Sequence, residues 1–357
     1  MSTRRIRVLI IDDSAIVRRV LSDVLSAEPD IEVVGTAPDP YVARDKILSL
    51  KPDVLTLDLE MPRMDGLSFL KRLMRYHPLP VIVISSIAPA GCAVALEALR
   101  WGALEVLAKP GGPYSVEDLS RALAATVRVA ASARLPRPMA SNGPVIAPPH
   151  EPVPAGDRSV IVIGASTGGV DAISQVLTRM PADSPPVLVV QHIPPVFSGA
   201  LAERLNRVCR MEVAEAKHTD ELRRGRVLIA PGGRHMQVAQ VQGVPCVLLK
   251  DDPPVNYHRP SIDVMFQSAA RVVGRQSIGV LLTGMGADGA EGLLAIRTAG
   301  GSTIAQDEES CVVYGMPAEA ARLGAVDVVL PLREIAGGIM GALHRRNQSQ
   351  RAPQVVV

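Results

Sequence analysis

The stretch VLIIDDS, Val8–Ser14, decides how the first part of the chain folds. Four apolar residues run into two aspartates, which is typical of a buried strand that ends in a polar loop. Similar short apolar runs recur through the first 133 residues, and a helical pattern follows each one. The strands predicted from these runs are Val8–Asp12, Glu32–Thr36, Val54–Asp58, Val81–Ser85 and Glu105–Ala108. Five βα units of this kind predict a doubly wound parallel sheet with helices on both faces.

The same alternation returns after residue 157, so a second α/β domain with a mostly parallel sheet is expected. Its predicted strands are Val160–Gly164, Val187–Gln191, Val213–Ala216, Val227–Ala230, Ile278–Thr283, Thr303–Gln306 and Val326–Leu330. An antiparallel hairpin is also predicted. It pairs Met236–Val241 with Pro245–Lys250 through a turn at Gln242–Gly243.

A change in composition separates the two blocks. Between Arg134 and Asp157, seven of 24 residues are proline, which disfavours a helix or a central strand and favours an extended, semi-stiff linker. The sequence therefore predicts a first domain over residues 1–133, a linker over 134–157 and a second domain over 158–346. The last residues, 347–357, are predicted to form a flexible tail.

Composition and charge exclude several classes of protein. The chain has 357 residues, 47% of them hydrophobic, which is enough for two domains with their own cores. Its formal net charge of +2 gives no strong field for a nucleic-acid backbone, so no nucleic acid is expected as a partner. The four cysteines form no C-x-x-C pair. No apolar run approaches the roughly 18 residues of a membrane span, so a cytoplasmic protein without membrane insertion is expected.

Polar residues stand at the ends of the strands in the first block. Asp12 and Asp13 end the first strand, Asp58 ends the third, Ser85 ends the fourth, and Lys109 follows the fifth. Ligands bind beyond the carboxyl ends of the strands in such sheets, so these side chains are expected to meet at one edge. Three close carboxylates repel one another, and Mg²⁺ would relieve that repulsion. A lysine and a hydroxyl nearby would suit a phosphoryl group on Asp58.

The second block opens with IVIGASTGG, Ile161–Gly169, in which Ser166 occupies the centre of a G-x-S-x-G pattern. A serine between a strand and a helix can be presented for nucleophilic attack, although such clusters also form plain turns or phosphate cradles. A serine nucleophile needs a base, and His192 follows the very next strand, in VVQHIPP. The other histidines are less well placed by the pattern: His77, His150, His218, His235, His258 and His344.

The stretch LLTGMGADG, residues 281–289, allows two interpretations. Gly284–Gly289 fits the dinucleotide fingerprint G-x-G-x-x-G, with Asp307 placed 18 positions later for a ribose. That fingerprint normally opens the first βα turn of a nucleotide domain, whereas this copy lies far inside its block. Alternatively, Asp288 orients His192 beside Ser166. The chain order Ser, His, Asp differs from the usual Ser, Asp, His of α/β-hydrolases.

The first block resembles the receiver domain of bacterial response regulators over residues 5–130, through VLIIDDS, LTLDLEMPRMDG, VIVISS and LAKPGG. The resemblance implies that a histidine kinase phosphorylates Asp58, that Ser85 bonds the phosphoryl group and that Lys109 pairs with it. The implied Mg²⁺ ligands are Asp12, Asp13, Asp58 and the backbone carbonyl of Glu60. One departure is Val106, where many receivers carry an aromatic residue that rotates on activation, so that type of switch is not expected.

The second block resembles the catalytic domain of the chemotaxis protein-glutamate methylesterases. The motifs are VIGASTGG, VQHIPP, APGGRHM, RPSIDVMFQSAA, LLTGMGADGAEGL and YGMPAEA. The resemblance implies hydrolysis of γ-glutamyl methyl esters on chemoreceptors, often with deamidation of glutamines. It makes Ser166 the nucleophile, His192 the general base and then acid, and Asp288 the residue that fixes the imidazole tautomer. The Met285 amide would be an oxyanion donor and Thr167 part of the same site, with no cofactor required.

A receiver joined to an esterase implies control by phosphorylation. Our hypothesis from the sequence is that the unphosphorylated receiver covers the Ser166 cleft, so that deletion of residues 1–133 raises basal activity. Chemoreceptors and a histidine kinase are the expected partners, and a monomer is the expected state. The alternative is a second domain that only binds a partner or DNA. Residues 158–345 show no helix-turn-helix pattern or basic stripe, but a partner-binding domain without turnover stays open.

Overall fold

The computed structural model describes residues 4–85, 89–109, 116–134 and 158–351 and divides the chain into two compact units, Met1–Ala140 and Ser141–Val357. The predicted linker lies outside the described residues except at Arg134. The last helix reaches Arg351, and residues 352–357 lie outside the described chain, so the predicted flexible tail over residues 347–357 stays a prediction. The predicted domain boundaries themselves stay predictions.

The first unit is a five-stranded parallel sheet, as the sequence predicted, and the structure gives its strand order as β2-β1-β3-β4-β5. Its strands are β1 (Ile6–Ile11), β2 (Ile31–Ala37), β3 (Val54–Asp58), β4 (Val81–Ser85) and β5 (Glu105–Ala108). The helices are α1 (Ala15–Ser26), α2 (Pro40–Leu50), α3 (Gly66–Tyr76), α4 (Pro89–Arg100) and α5 (Val116–Ser132). Every residue of β3 and β4 is buried, because helices cover both faces of these central strands.

The second unit contains a seven-stranded parallel sheet in the order β14-β13-β12-β6-β7-β9-β8. Its strands are β6 (Val160–Ala165), β7 (Val187–Gln191), β8 (Glu212–Glu215), β9 (Arg226–Ile229), β12 (Ser277–Leu281), β13 (Ser302–Gln306) and β14 (Val328–Leu330). The helices are α6 (Gly169–Leu177), α7 (Pro195–Val208), α8 (Ile262–Val272), α9 (Ala290–Thr298), α10 (Met316–Arg322) and α11 (Leu332–Arg351). A short 3₁₀ helix, Gly274–Gln276, precedes β12.

The predicted hairpin is confirmed as a separate antiparallel pair, β10 (His235–Val241) and β11 (Val244–Lys250). Gln242 and Gly243 both have positive φ angles, 50° and 83°, as a two-residue hairpin turn requires. The hairpin packs its apolar face, with Met236 and Val247 buried, into the core that contains α8. All the predicted strands are present, and their ends differ from the predicted ends by at most two residues.

The order of the central strands positions the candidate site. Strand β6 lies between β12 and β7, and all three run parallel. The loops that follow them, which begin near Ser166, His192 and Leu282, therefore leave the same edge of the sheet. Within the described part of the chain, no helix has the length and apolar character needed to cross a bilayer.

Candidate functional site

Ser166 lies in the tight connection between β6 and α6 and is 8% exposed. Its amide donates to the Thr283 carbonyl at 3.0 Å, which ties the connection to the loop after β12. Its own carbonyl accepts a bond of 2.7 Å from the Gly169 amide, where α6 begins. The backbone of Ser166 is thus fixed on both sides, beside a helix N-terminus whose free amides favour negative charge.

His192 stands directly beside this serine connection. Ala165 and Gln191 are paired across β6 and β7, and the His192 amide donates to the Ala165 carbonyl at 3.0 Å. The buried Gln191 side chain reinforces the junction, since its Nε2 donates to the carbonyls of Ser166 (2.8 Å) and His192 (3.1 Å). Sequence reasoning missed Gln191. Its position before the histidine, at the end of a buried strand, was the available signal.

The predicted convergence of His192 with the glycine-rich loop is present. Nε2 of His192 lies 2.9 Å from Oδ2 of Asp288, and the two side chains are 7% and 1% exposed. Asp288 accepts further bonds from the Ile262 amide at 2.6 Å and the Ser261 hydroxyl at 2.7 Å. Ser261 is also the N-cap residue of α8, so this carboxylate is anchored to the start of a helix.

These bonds determine the protonation pattern of the site. Burial alone would raise the pKa of Asp288, but hydrogen bonds from His192 and other donors outweigh it and lower that pKa. An ionised Asp288 only accepts, so Nε2 of His192 carries the hydrogen. Nδ1 is then the ring nitrogen with a free lone pair. It is buried and has no hydrogen-bond partner among the residues that the structure describes.

The structure adds three polar residues that sequence reasoning did not assign to the site. Nδ2 of Asn256 donates to Asp288 at 3.0 Å and to Asp263 at 2.7 Å. The ring of His258 stacks on His192, with centroids 3.6 Å apart and planes inclined by 10°. His258 follows no apolar run, as the sequence showed, and a turn closed by bonds between Val255 and His258 brings it against His192. The motif RPSIDV was the available signal for Asp263.

Burial shapes the titration of two of these residues. It lowers the pKa of His258 to about 4, and the neighbouring His192 adds to that effect. Burial also raises the pKa of Asp263 to about 6, and the charge of Asp288 adds to it. Both groups therefore favour their neutral forms more than they would in water.

The glycine stretch lies against the serine. A Cβ on Gly284 would come within 2.6 Å of the Ser166 Cβ, so only glycine allows this approach. Met285 follows, with its side chain 43% exposed. The carboxylate of Asp307, which the dinucleotide interpretation required, instead accepts from the amide of Ser310 at 3.0 Å in a local turn. Thr167 is buried beside Ser166, and its carbonyl accepts from the Thr283 hydroxyl at 3.0 Å.

The first unit brings its polar residues together at the carboxyl edge of its own sheet. Carboxylate oxygens of Asp12, Asp13 and Asp58 all lie within 4.8 Å of one another. Nζ of Lys109 is 2.8 Å from Asp58 and 3.3 Å from Asp12. Burial raises the pKa of both Asp12 and Asp58, and Lys109 opposes that rise. This acidic cluster could hold a metal ion, which agrees with the expectation from the sequence.

The remaining predicted residues of that unit lie on β4 and β5 or just after β3. Ser85 ends β4 and is buried, and its carbonyl accepts from the Lys109 amide at 2.9 Å. The Glu60 amide donates to Oδ1 of Asp58 at 3.1 Å, while a ligand role for the Glu60 carbonyl stays a prediction. Val106 is a buried residue of β5, as expected from the apolar run.

The two units together define a class of protein: a receiver-type α/β domain joined to an α/β domain with a serine, histidine and aspartate at one sheet edge. Comparison with known families specifies the class. Residues 8–121 match the response regulator receiver domain, and residues 161–339 match the CheB methylesterase family. The chain belongs to the CheB methylesterase family.

Curated relatives match almost end to end. The protein-glutamate methylesterase/protein-glutamine glutaminase 2 of Syntrophus aciditrophicus is 52% identical over 94% of this chain and 98% of its own length. The protein-glutamate methylesterase/protein-glutamine glutaminase 2 of Pseudomonas aeruginosa is 47% identical over 97% of this chain and 99% of its own. The crystal structure of the Thermotoga maritima CheB methylesterase catalytic domain covers 51% of this chain and 97% of that domain, with 37% identity and a TM-score of 0.50.

Proposed function

We propose that this protein hydrolyses γ-glutamyl methyl esters on chemoreceptors, under the control of phosphorylation, and so resets them during sensory adaptation. The observation that carries the proposal is the state of His192. Its Nε2 bonds to a buried carboxylate, and its Nδ1 has no hydrogen-bond partner among the described residues. The backbone amide of His192 is bonded to Ala165, the residue directly before Ser166. The matching names of relatives that align with nearly the whole chain supply the substrate class.

In the first half-reaction, Ser166 Oγ attacks the ester carbonyl and gives its proton to Nδ1 of His192. The imidazolium that forms is stabilised by the Asp288 carboxylate on Nε2. It then protonates the methoxy oxygen, the C–O bond breaks, and methanol leaves. The glutamyl side chain is now an ester of Ser166.

In the second half-reaction, water attacks this acyl-enzyme and His192 takes its proton at the same nitrogen. The tetrahedral intermediate collapses, Ser166 recovers its proton, and the receptor is left with a free glutamate. Each intermediate carries a negative oxygen that needs donors. We assign the Met285 amide to that role, in the loop that Gly284 brings against Ser166, and one such donor contributes roughly 3–4 kcal/mol. Thr167, buried beside Ser166, supports the same pocket.

The same site would deamidate glutamine. The attack by Ser166 on an amide carbonyl is chemically equivalent. His192 would protonate the amide nitrogen in place of the methoxy oxygen, so that the C–N bond breaks and ammonia leaves. The glutaminase activity in the names of the relatives favours this second reaction. Ammonia release from receptors that carry the corresponding glutamines measures it directly. No organic cofactor or metal enters this half of the proposal.

The first unit would receive a phosphoryl group on Asp58 from a histidine kinase. Mg²⁺ fits the residues present, since it prefers hard oxygen ligands and two carboxylates of the cluster, Asp12 and Asp58, are buried. The ligands would be Asp12, Asp13, Asp58 and the Glu60 carbonyl. The ion would neutralise charge on the phosphoryl group when bound. Lys109 already reaches Asp58 at 2.8 Å and would pair with the new anion, while Ser85 would hydrogen-bond to it.

The deciding experiment measures methanol release from methylated receptor membranes by the wild type and Ser166→Ala, with and without acetyl phosphate and Mg²⁺. We expect release that depends on Ser166 and rises with the phosphodonor. Release that depends on Ser166 but does not change with the phosphodonor would contradict control by phosphorylation and leave the esterase proposal standing. No release by the wild type would favour the alternative, a domain that only binds a partner. We place the protein in the cytoplasm, as a monomer without nucleic acid.

A further inference from the structure

Two buried carboxylates stand side by side behind His192, and the catalytic proposal uses only one of them. Asp288 and Asp263 are 2% and 3% exposed. The Asp263 amide donates to Asp288 at 3.3 Å, so the two residues are direct neighbours. Asp263 has its own backbone donor, the Gly292 amide at 2.6 Å near the start of α9. Two neighbouring carboxylate anions in a buried setting destabilise each other unless a hydrogen-bond donor lies between them.

That donor is the side chain of Asn256. One nitrogen, Nδ2, has two hydrogens and donates one to each carboxylate, at 3.0 Å to Asp288 and 2.7 Å to Asp263. The bond to Asp288 goes to Oδ1, the oxygen that does not face His192. The Ser261 hydroxyl donates to the same oxygen at 2.7 Å and the Ile262 amide donates to Oδ2 at 2.6 Å. Together with these donors, Asn256 restrains rotation of the carboxylate about its Cβ–Cγ bond and so helps to set the direction in which Oδ2 faces the imidazole.

The backbone around Asn256 holds this side-chain amide in position. Asn256 and Tyr257 both have positive φ angles, 52° and 66°, in a tight turn closed by reciprocal backbone bonds between Val255 and His258. Asparagine tolerates that left-handed backbone better than most residues. The ring of the buried His235 holds the segment at both ends, since it lies 3.0 Å from the Pro253 carbonyl and 3.2 Å from the Ser261 amide.

We propose that Asn256 is a positioning residue for the esterase reaction, which acts by bridging Asp263 to Asp288 and so holds Asp288 in line with His192. This inference rests on the proposed function. It predicts a loss in kcat, because a misdirected base costs transition-state stabilisation, whereas substrate binding does not involve this side chain.

The variant Asn256→Gly tests the proposal, because glycine keeps the positive φ and removes only the amide. The matched control is Tyr257→Gly, which changes the next position of the same turn, where the side chain is fully exposed. Methanol release from methylated receptors gives kcat and KM for the full-length proteins. We expect kcat to fall about 10- to 100-fold for Asn256→Gly with little change in KM, and to be retained for Tyr257→Gly.

A second measurement separates positioning from a merely structural role. In an Asp288→Ala background, the carboxylate through which Asn256 acts is absent, so adding Asn256→Gly should cost nothing further. An additive loss in that background, an unchanged kcat in the single variant, or an equal loss for Tyr257→Gly would each overturn the proposal. Absence of Ser166-dependent release by the wild type would instead overturn the proposed function, and the role of Asn256 with it.

Discussion

Nε2 of His192, and not Nδ1, bonds to the carboxylate of Asp288, at 2.9 Å. The opposite ring nitrogen therefore serves as the base, in contrast to the serine proteases, where the aspartate holds Nδ1. The difference follows from the route of the chain. His192 enters the site from the end of β7 with its backbone bonded to Ala165, while Asp288 arrives from the loop after β12, across β6.

The first prediction concerns this bond. In Asp288→Asn, an amide replaces the acceptor, so the tautomer with a hydrogen on Nδ1 is no longer disfavoured and the base is lost. We expect kcat for methanol release to fall about 10³- to 10⁴-fold with the fold intact. The control is Asp307→Asn, which changes the acidic residue that the dinucleotide interpretation required and should keep kcat. Equal losses in both variants would contradict a specific role for Asp288.

The second prediction concerns the close approach of Gly284 to Ser166. In Gly284→Ala, the added methyl group would meet the Ser166 Cβ and the Met316 Cε, both at 2.6 Å. We expect a loss of about 1–3 kcal/mol in the free energy of unfolding, together with lower kcat because the serine is displaced. Urea unfolding and methanol release measure the two effects.

Gly337→Ala is the matched control for that substitution. Gly337 lies within α11, and its added methyl group would meet no atom within 4 Å. The same change should there raise the free energy of unfolding by about 0.5–1 kcal/mol, because alanine is the better helix former. If Gly284→Ala proved as stable and as active as Gly337→Ala, the tight contact with Ser166 would be disproved.

These local contacts show which parts of the molecule the sequence could predict. Ser166, His192 and Asp58 were identified because each directly follows or ends a short apolar run, and the carboxyl ends of parallel strands share one edge. The strands can be predicted locally, because a run of five or six apolar residues indicates by itself that the segment is buried. The sheet order then brings residues that are far apart in sequence to the same place.

The rest of the site could not be read in this way. Asn256 and His258 lie on a turn with no periodic pattern, and their partners are His192, Asp263 and Asp288. Nothing near Asn256 in sequence indicates that its amide meets a carboxylate 32 positions later. The contact depends on how α8 packs against the loop after β12, which is a property of the assembled core.

The third prediction concerns the dependence of stability on pH. Burial lowers the pKa of His258 from 6.5 to about 4, so the unfolded chain binds the proton more tightly than the folded one. His258 therefore does not lower the free energy of unfolding above pH 6.5. As the pH falls from 6.5 toward 4, the preference of the unfolded chain for the proton lowers that free energy. This single group accounts for up to about 3 kcal/mol over that interval.

His258→Phe isolates the effect, because phenylalanine retains a flat ring to stack on His192 and does not titrate. Urea unfolding of both proteins at several pH values between 7 and 4 gives the difference. Asp263 contributes with the opposite sign, since its raised pKa makes stability fall as the pH rises through about 6, but it does so in both proteins. A wild type whose stability falls no faster than that of His258→Phe would refute a buried neutral His258.

The last prediction concerns the acidic cluster of the first unit. Asp58→Asn removes the phosphoryl acceptor and one anion beside Lys109, which lies 2.8 Å away. We expect methanol release to keep its basal rate and to lose its rise with acetyl phosphate and Mg²⁺, because no acyl phosphate can form at an amide. Asp45→Asn serves as the control, since Asp45 is exposed on α2 and pairs with Arg44. It should retain the full rise, and a rise that persists in Asp58→Asn would place the phosphoryl group on another residue.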